Sequence, residues 1–122
     1  MGNYYKTEVK FSYSAHEAFE KSIAILDFLE WSPKNNGTDL ITASTCDSAF
    51  GFGEKIRITF KKHRLIISSE SRYLFQCFDL GKNESNVDKF IYIFKRAKLP
   101  FDKSQFVDEK PRSMFERFLS GR

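Results

Sequence analysis

A chain of 122 residues, 41% hydrophobic and 30% charged with a net charge of +4, has the size and balance of one globular domain, able to hide roughly two thirds of its unfolded surface in a single core. No apolar run approaches a membrane span and no basic-then-apolar leader opens the chain, so a cytoplasmic protein without an integral membrane segment is expected. Residues 1–80 carry 10 Lys+Arg and 10 Asp+Glu while residues 81–122 carry 10 and 6, which permits an acidic partner near the C-terminal third without demanding one.

The elements follow in chain order. Tyr4–Tyr13 alternates, with Tyr5, Thr7, Val9, Phe11 and Tyr13 on one face and Tyr4, Lys6, Glu8, Lys10 and Ser12 on the other. That is a strand with one buried and one wet face. An amphipathic helix is predicted over residues 15–30, with Ser14 as N-cap, Glu17 completing a capping box, and a stripe through Phe19, Ile23, Leu26 and Glu30 widened by Ala15, Ala18, Ser22, Ile25 and Leu29. Pro33 stops it, and Asn36-Gly37 supplies a turn.

"LITASTC" reads as a second strand. "EKIRITFK" reads as a third, with Ile56, Ile58 and Phe60 inward and Lys55, Arg57, Thr59 and Lys61 outward. "KKHR" makes a polar turn into a fourth strand, "LIISSES", and "YLFQCFD" is a candidate fifth. After the turn "GKNESN", Val87, Phe90, Ile91 and Phe94 mark a second helix for which Ser85, with Asp88, is the expected cap. Pro111 opens a short amphipathic segment bearing Met114, Phe115, Phe118 and Leu119.

The order β-α-β-β-β-(β)-α, with short connections, predicts an α+β fold: one antiparallel sheet of four to five strands with two helices on one face. The division expected is a domain over residues 1–99 and a tail over 100–122 that packs on the domain or on a partner. The 14 phenylalanines against a single Trp should dominate the core, each worth roughly 2–3 kcal/mol when fully buried. Cys46 and Cys77, 31 positions apart and outside any CxxC, read as reduced buried thiols.

Chemistry is sparse. "GFGEK" at residues 51–55 has Ile56 where a dinucleotide fingerprint needs its third glycine, and a strand follows where a helix should. Gly51 and Gly53 then shape a strand entry. "LGKN" at residues 80–83 lacks the first Walker glycine and has Asn83 in place of Ser/Thr. His16 and His63 neighbour no cysteine, against the paired spacing of zinc ligands. Ser68, Ser69 and Ser71 lie in or beside a strand, where hydroxyls face solvent or cap edges, and no Gly-x-Ser-x-Gly elbow is present. Glu54 and Asp79 would serve glycoside chemistry only if their loops met at the right separation. No cofactor is expected.

The basic turn and exposed sheet face outline a nucleic-acid surface, but the outward residues of the third strand include no stacking ring. The aromatic tail suits docking on its own core, on a partner's groove, or on an anionic membrane surface. Self-docking is the simpler expectation, with Phe101 and Phe106 covering the sheet or the second helix, and Phe106, Met114, Phe115 and Phe118 as contacts.

At "GFGEKIRI", "IISSES" and "DLGKNESNVDKF" the chain resembles a family of small, uncharacterised bacterial domains. Their shared pattern runs Trp-Gly-Glu-x-Ile, then Ser-x-Ser, then Asp-Trp-Gly-Lys-Asn-x-x-Asn before a helix. The matching residues are Gly53, Glu54, Ile56, Ser69, Ser71, Asp79, Gly81, Lys82, Asn83 and Asn86, while Phe52 and Leu80 stand where the pattern has Trp. The resemblance spans about residues 4–98, one domain's length. It implies a bacterial source and a β-α-β-sheet-α fold, and brings no activity with it. It also suggests that Glu54, Lys55, Asp79, Lys82 and Asn83 gather at one end of the sheet. They would act there as a recognition site or, as Asx turns favour, as a structural tie in which Asp79 and Asn83 hold the turn before helix two.

The expected function is a non-enzymatic binding or accessory module for a protein partner or a small apolar ligand. A nucleic-acid-binding domain and a small hydrolase are the alternatives, and the oligomeric state stays open.

Overall fold

The computed structural model of the protein describes residues 4–45, 53–71 and 82–110, without the side chains of residues 34–36. Among these residues five strands, β1 (Tyr4–Lys10), β2 (Ser32–Asn36), β3 (Leu40–Ser44), β4 (Glu54–Lys61) and β5 (Arg64–Ser71), form one sheet. Its order is β1-β5-β4-β3-β2 and every pairing is antiparallel. Helices α1 (Ala15–Leu29) and α2 (Lys82–Arg96) cover one face, α2 over β1 and β5, α1 over β4 and β2. The fold is α+β, as the alternation of strands and helical stripes requires.

Local chemistry explains most boundaries. Ser14 Oγ accepts the Glu17 N–H at 3.1 Å and starts α1. The helix stops where Glu30 adopts a left-handed conformation (φ 62°) and its N–H turns back to Asp27 O at 3.1 Å. Glu30 is therefore an exposed cap rather than the last residue of the stripe. The buried stripe is Ala18, Lys21, Ser22, Ile25, Leu26, Phe28 and Leu29, while Phe19 and Ile23 are only half-buried. This rotation from the predicted stripe has a cause: α1 packs on α2 as well as on the sheet, which draws the Lys21 side inward.

Two expectations need correction. Ser32–Asn36, read from sequence as a loop behind Pro33, is strand β2, paired with β3 through a bulge between Pro33 and Asn35. Proline is tolerated there because β2 is an edge strand, where an absent N–H need not break a ladder. "YLFQCFD" falls outside the described residues. The second helix starts at Lys82, so Ser85 is an exposed residue inside its first turns and not a cap. Asn83 and Asn86 occupy the inward face there, ahead of Val87, Phe90 and Phe94. Apolar periodicity is blind to a helix whose first inward residues are amides.

All eight phenylalanines among the described residues are buried or half-buried. Their rings meet in offset and edge-on pairs, as between Phe90 and Phe94 (5.9 Å) and between Phe19 and Phe60 (5.3 Å). Beyond α2 the chain folds back on its own domain. Phe106, in a 3-10 segment over Lys103–Glu109, is 1% exposed. Phe101 stacks on it at 5.7 Å and meets Phe28 at 5.6 Å. The ring contacts of this segment thus run to the end of α1, where the sequence pointed to the sheet or the second helix. Met114, Phe115 and Phe118 lie outside the described residues. No helix among the described residues is long and apolar enough to cross a membrane.

Candidate functional site

The first β4 residue, the end of β5 and the first turn of α2 converge on a buried polar cluster. Glu54 is 6% exposed, Ser69 and Asn83 are fully buried, and Asn86 is 6% exposed. Thr45 Oγ1 donates to Glu54 Oε1 at 2.8 Å while accepting the Glu54 N–H at 2.9 Å. Asn86 Nδ2 donates to Glu54 Oε1 at 3.0 Å and to Ser69 Oγ at 3.2 Å. The Ser69 hydroxyl donates to Asn83 Oδ1 at 2.6 Å, and Asn83 Nδ2 donates to Ser71 Oγ at 3.3 Å.

The pleat explains who takes part. Ile56 lies opposite Ser69, and Glu54 opposite Ser71, so these four side chains share the helix-bearing face. Asn83 and Asn86, three apart, then share one side of α2. Hydroxyls, amides and a carboxylate satisfy one another, and the result fastens the start of a helix to two strands.

The sequence-derived candidates separate accordingly. Glu54 and Asn83 join the cluster, linked through Asn86 and Ser69. Lys55 is exposed, and the pleat sends it to the opposite face of the sheet. Lys82 is exposed at the start of α2. Asp79 lies outside the described residues, as do Gly51, Cys46 and Cys77. Asn83 sits within the helix, not in a turn before it, and reaches the serine hydroxyls of β5. Ser69 is the sharpest departure, because its hydroxyl is buried and bonded to an amide instead of facing solvent. Nothing in composition or spacing marked Ser69 and Asn86 as members of one cluster.

The histidines stay apart. His16 Nε2 lies 3.2 Å from Glu20 Oε2 on the exposed side of α1, and His63 Nδ1 lies 3.2 Å from Tyr13 O. Among the described residues no three His, Cys, Asp or Glu side chains gather as a metal site would need.

Lys21 escaped the sequence reading altogether. It is 5% exposed, and its Nζ donates to Tyr13 Oη at 3.0 Å and to Phe94 O at 3.3 Å. The rings of Tyr13 and Phe94 lie 4.7 and 5.0 Å from that nitrogen. Burial lowers the lysine pKa below 10.5, opposed by Glu17, and burial with Glu17 raises the Tyr13 hydroxyl above 10.0. Phe94 O is a carbonyl of the last turn of α2, where a cation suits the helix dipole. Its position three residues after Ala18 and four before Ile25 was the available clue.

The sheet's other face is different in kind. In register across it lie the rows Tyr4–Glu70–Lys55–Ser44, Lys6–Ser68–Arg57–Thr42, Glu8–Ile66–Thr59–Leu40 and Lys10–Arg64–Lys61. Six of these residues are exposed cations (Lys6, Lys10, Lys55, Arg57, Lys61 and Arg64), against two exposed carboxylates, Glu8 and Glu70. Arg64 Nε and Glu8 Oε2 pair at 3.1 Å. Ile66, Thr59 and Leu40 form a half-buried strip across the middle. The solvent side of α1 has the opposite sign, with Glu17, Glu20, Asp27 and Glu30 exposed. Comparison of the chain with protein-family models, with curated proteins and with solved structures finds no match in any of the three.

Proposed function

We propose that this chain is a binding module whose uncovered sheet face takes an acidic protein partner. The carrying observation is the excess of six exposed cations over two carboxylates on the one sheet face that neither helix covers. The apolar strip of Ile66, Thr59 and Leu40 inside that charged surround gives a protein partner something to bury, and the cations give it orientation and speed of encounter. A protein is favoured over nucleic acid because Tyr4 is the one ring on this face among the described residues, where single-strand binders use several stacking platforms. Glu8 and Glu70 also stand among the cations, where a phosphate backbone would meet them. An apolar small ligand fits less well, since Ile25, Leu26, Ile56, Ile58 and Phe90 are fully buried between helices and sheet. A non-enzymatic role is supported by the cluster around Glu54, whose donors and acceptors engage one another.

The test uses the full chain as bait in lysate of its own host, beside a Lys55→Glu/Arg57→Glu/Lys61→Glu variant and a Glu20→Lys control. The reading expects one acidic protein retained by wild type and by the control, lost by the triple variant, and released as salt rises. Retention of labelled RNA or DNA in place of a protein, with a steep salt dependence, would decide for the nucleic-acid alternative.

A further inference from the structure

The two borders of the sheet are unlike. β2 carries Pro33 and a bulge, devices that discourage a further strand. β1 has neither: its seven residues, YYKTEVK, pair with β5 in unbroken register. Among the described residues no strand lies beside the opposite edge of β1.

The pleat fixes which groups face that open edge. Phe11 N–H bonds to His63 O at 2.9 Å, toward β5. Counting back in twos turns the N–H groups of Val9, Thr7 and Tyr5 toward β5, and those of Lys10, Glu8 and Lys6 outward. A second strand could therefore exchange backbone bonds with Lys6 and Glu8.

We propose that this strand is β1 of a second copy of the chain, antiparallel and related by a two-fold axis at Thr7. In that register Lys6 faces the second copy's Glu8 on the open sheet face, and does so twice by symmetry. Tyr4 faces Lys10 on the same side. On the helix-bearing side Thr7 faces Thr7, and Tyr5 faces Val9, in the pairs that bring side chains closest. Tyr5 and Thr7 are half-buried in the single chain and gain cover. Registers that keep the faces matched but move the axis by one residue set Lys6 against Lys6 or Glu8 against Glu8. The charges thus select the Thr7 register and no neighbour. Joining two such edges makes one sheet through both copies and doubles the cationic face.

Sedimentation velocity on the full chain tests this at about 100 µM, a concentration at which even a dimer held at ~10 µM forms. The wild type should run at twice 14.3 kDa. Glu8→Lys turns both attractive pairs repulsive and should weaken association about a hundredfold. The exchange Lys6→Glu/Glu8→Lys should restore it. Lys6→Pro is a second route: its outward N–H plays no part in the β1–β5 ladder, so the fold should keep its circular dichroism while the edge is blocked. A monomeric wild type overturns the proposal and leaves the edge for another protein's strand. So does a dimer indifferent to both Glu8→Lys and Lys6→Pro, or a charge exchange that fails to restore pairing.

Discussion

The cluster around Glu54 and the open face of the sheet are both polar, and they sit on opposite sides of the same strands. In the first, a carboxylate, two amides and three hydroxyls lie within hydrogen-bond reach of one another and largely out of water. In the second, lysines and arginines stand in solvent with few partners among them. Buried groups that complete each other hold a structure together, and their loss is expensive because each orphaned partner keeps its desolvation cost. Exposed charges hold little together, and are free to meet something else.

That contrast can be broken at its stronger end first. Asn83→Leu takes the buried acceptor from the Ser69 hydroxyl and the amide donor from Ser71, and should remove about 3 kcal/mol of stability. A thermal melt followed by circular dichroism should fall by roughly ten degrees or more. An unchanged melt would mean that the cluster is not a structural tie.

Lys21 comes next, as the one buried cation among the described residues, set against the exposed ones. Its folded pKa lies below 10.5, so between that folded value and 10.5 the unfolded chain binds more protons. Its contribution therefore rises as pH climbs through that window. In chemical denaturation with pH rising toward 10.5, wild type should gain on Lys21→Met as that window is crossed. A flat difference removes burial as the dominant influence on this amine.

The smallest stability effect belongs to the open face. Each of Lys55→Glu, Arg57→Glu and Lys61→Glu should shift the unfolding midpoint by no more than about 0.5 kcal/mol. Together they should abolish capture of the acidic partner. A large loss of stability here would make these charges structural after all.

What could be read from the sequence follows from what has a period. β1, β4 and the body of both helices alternate or recur with the spacing of their own geometry, so Ile56, Ile58, Phe60, Val87, Phe90 and Phe94 were legible as core. β2 was not, because proline in an edge strand looks like proline in a loop until its neighbour is known. The start of α2 was hidden by Asn83 and Asn86, which read as turn residues while serving as its inward face.

The candidate site was half legible. Glu54 and Asn83 were singled out, but neither composition nor spacing could show that Ser69 and Asn86 stand between them. The charge pattern was invisible for a different reason. Residues 1–80 are neutral in sum, and folding sorts them, with cations on the sheet and Glu17, Glu20, Asp27 and Glu30 on the outside of α1.

The proline and bulge of β2 set a ceiling on assembly. Any strand that joins this sheet is steered to the β1 border, and once that border is occupied the remaining outer rims are the ones built to refuse company. Growth by edge addition therefore terminates after a single event. A lengthening fibre would have to breach a border that its own sequence has sealed.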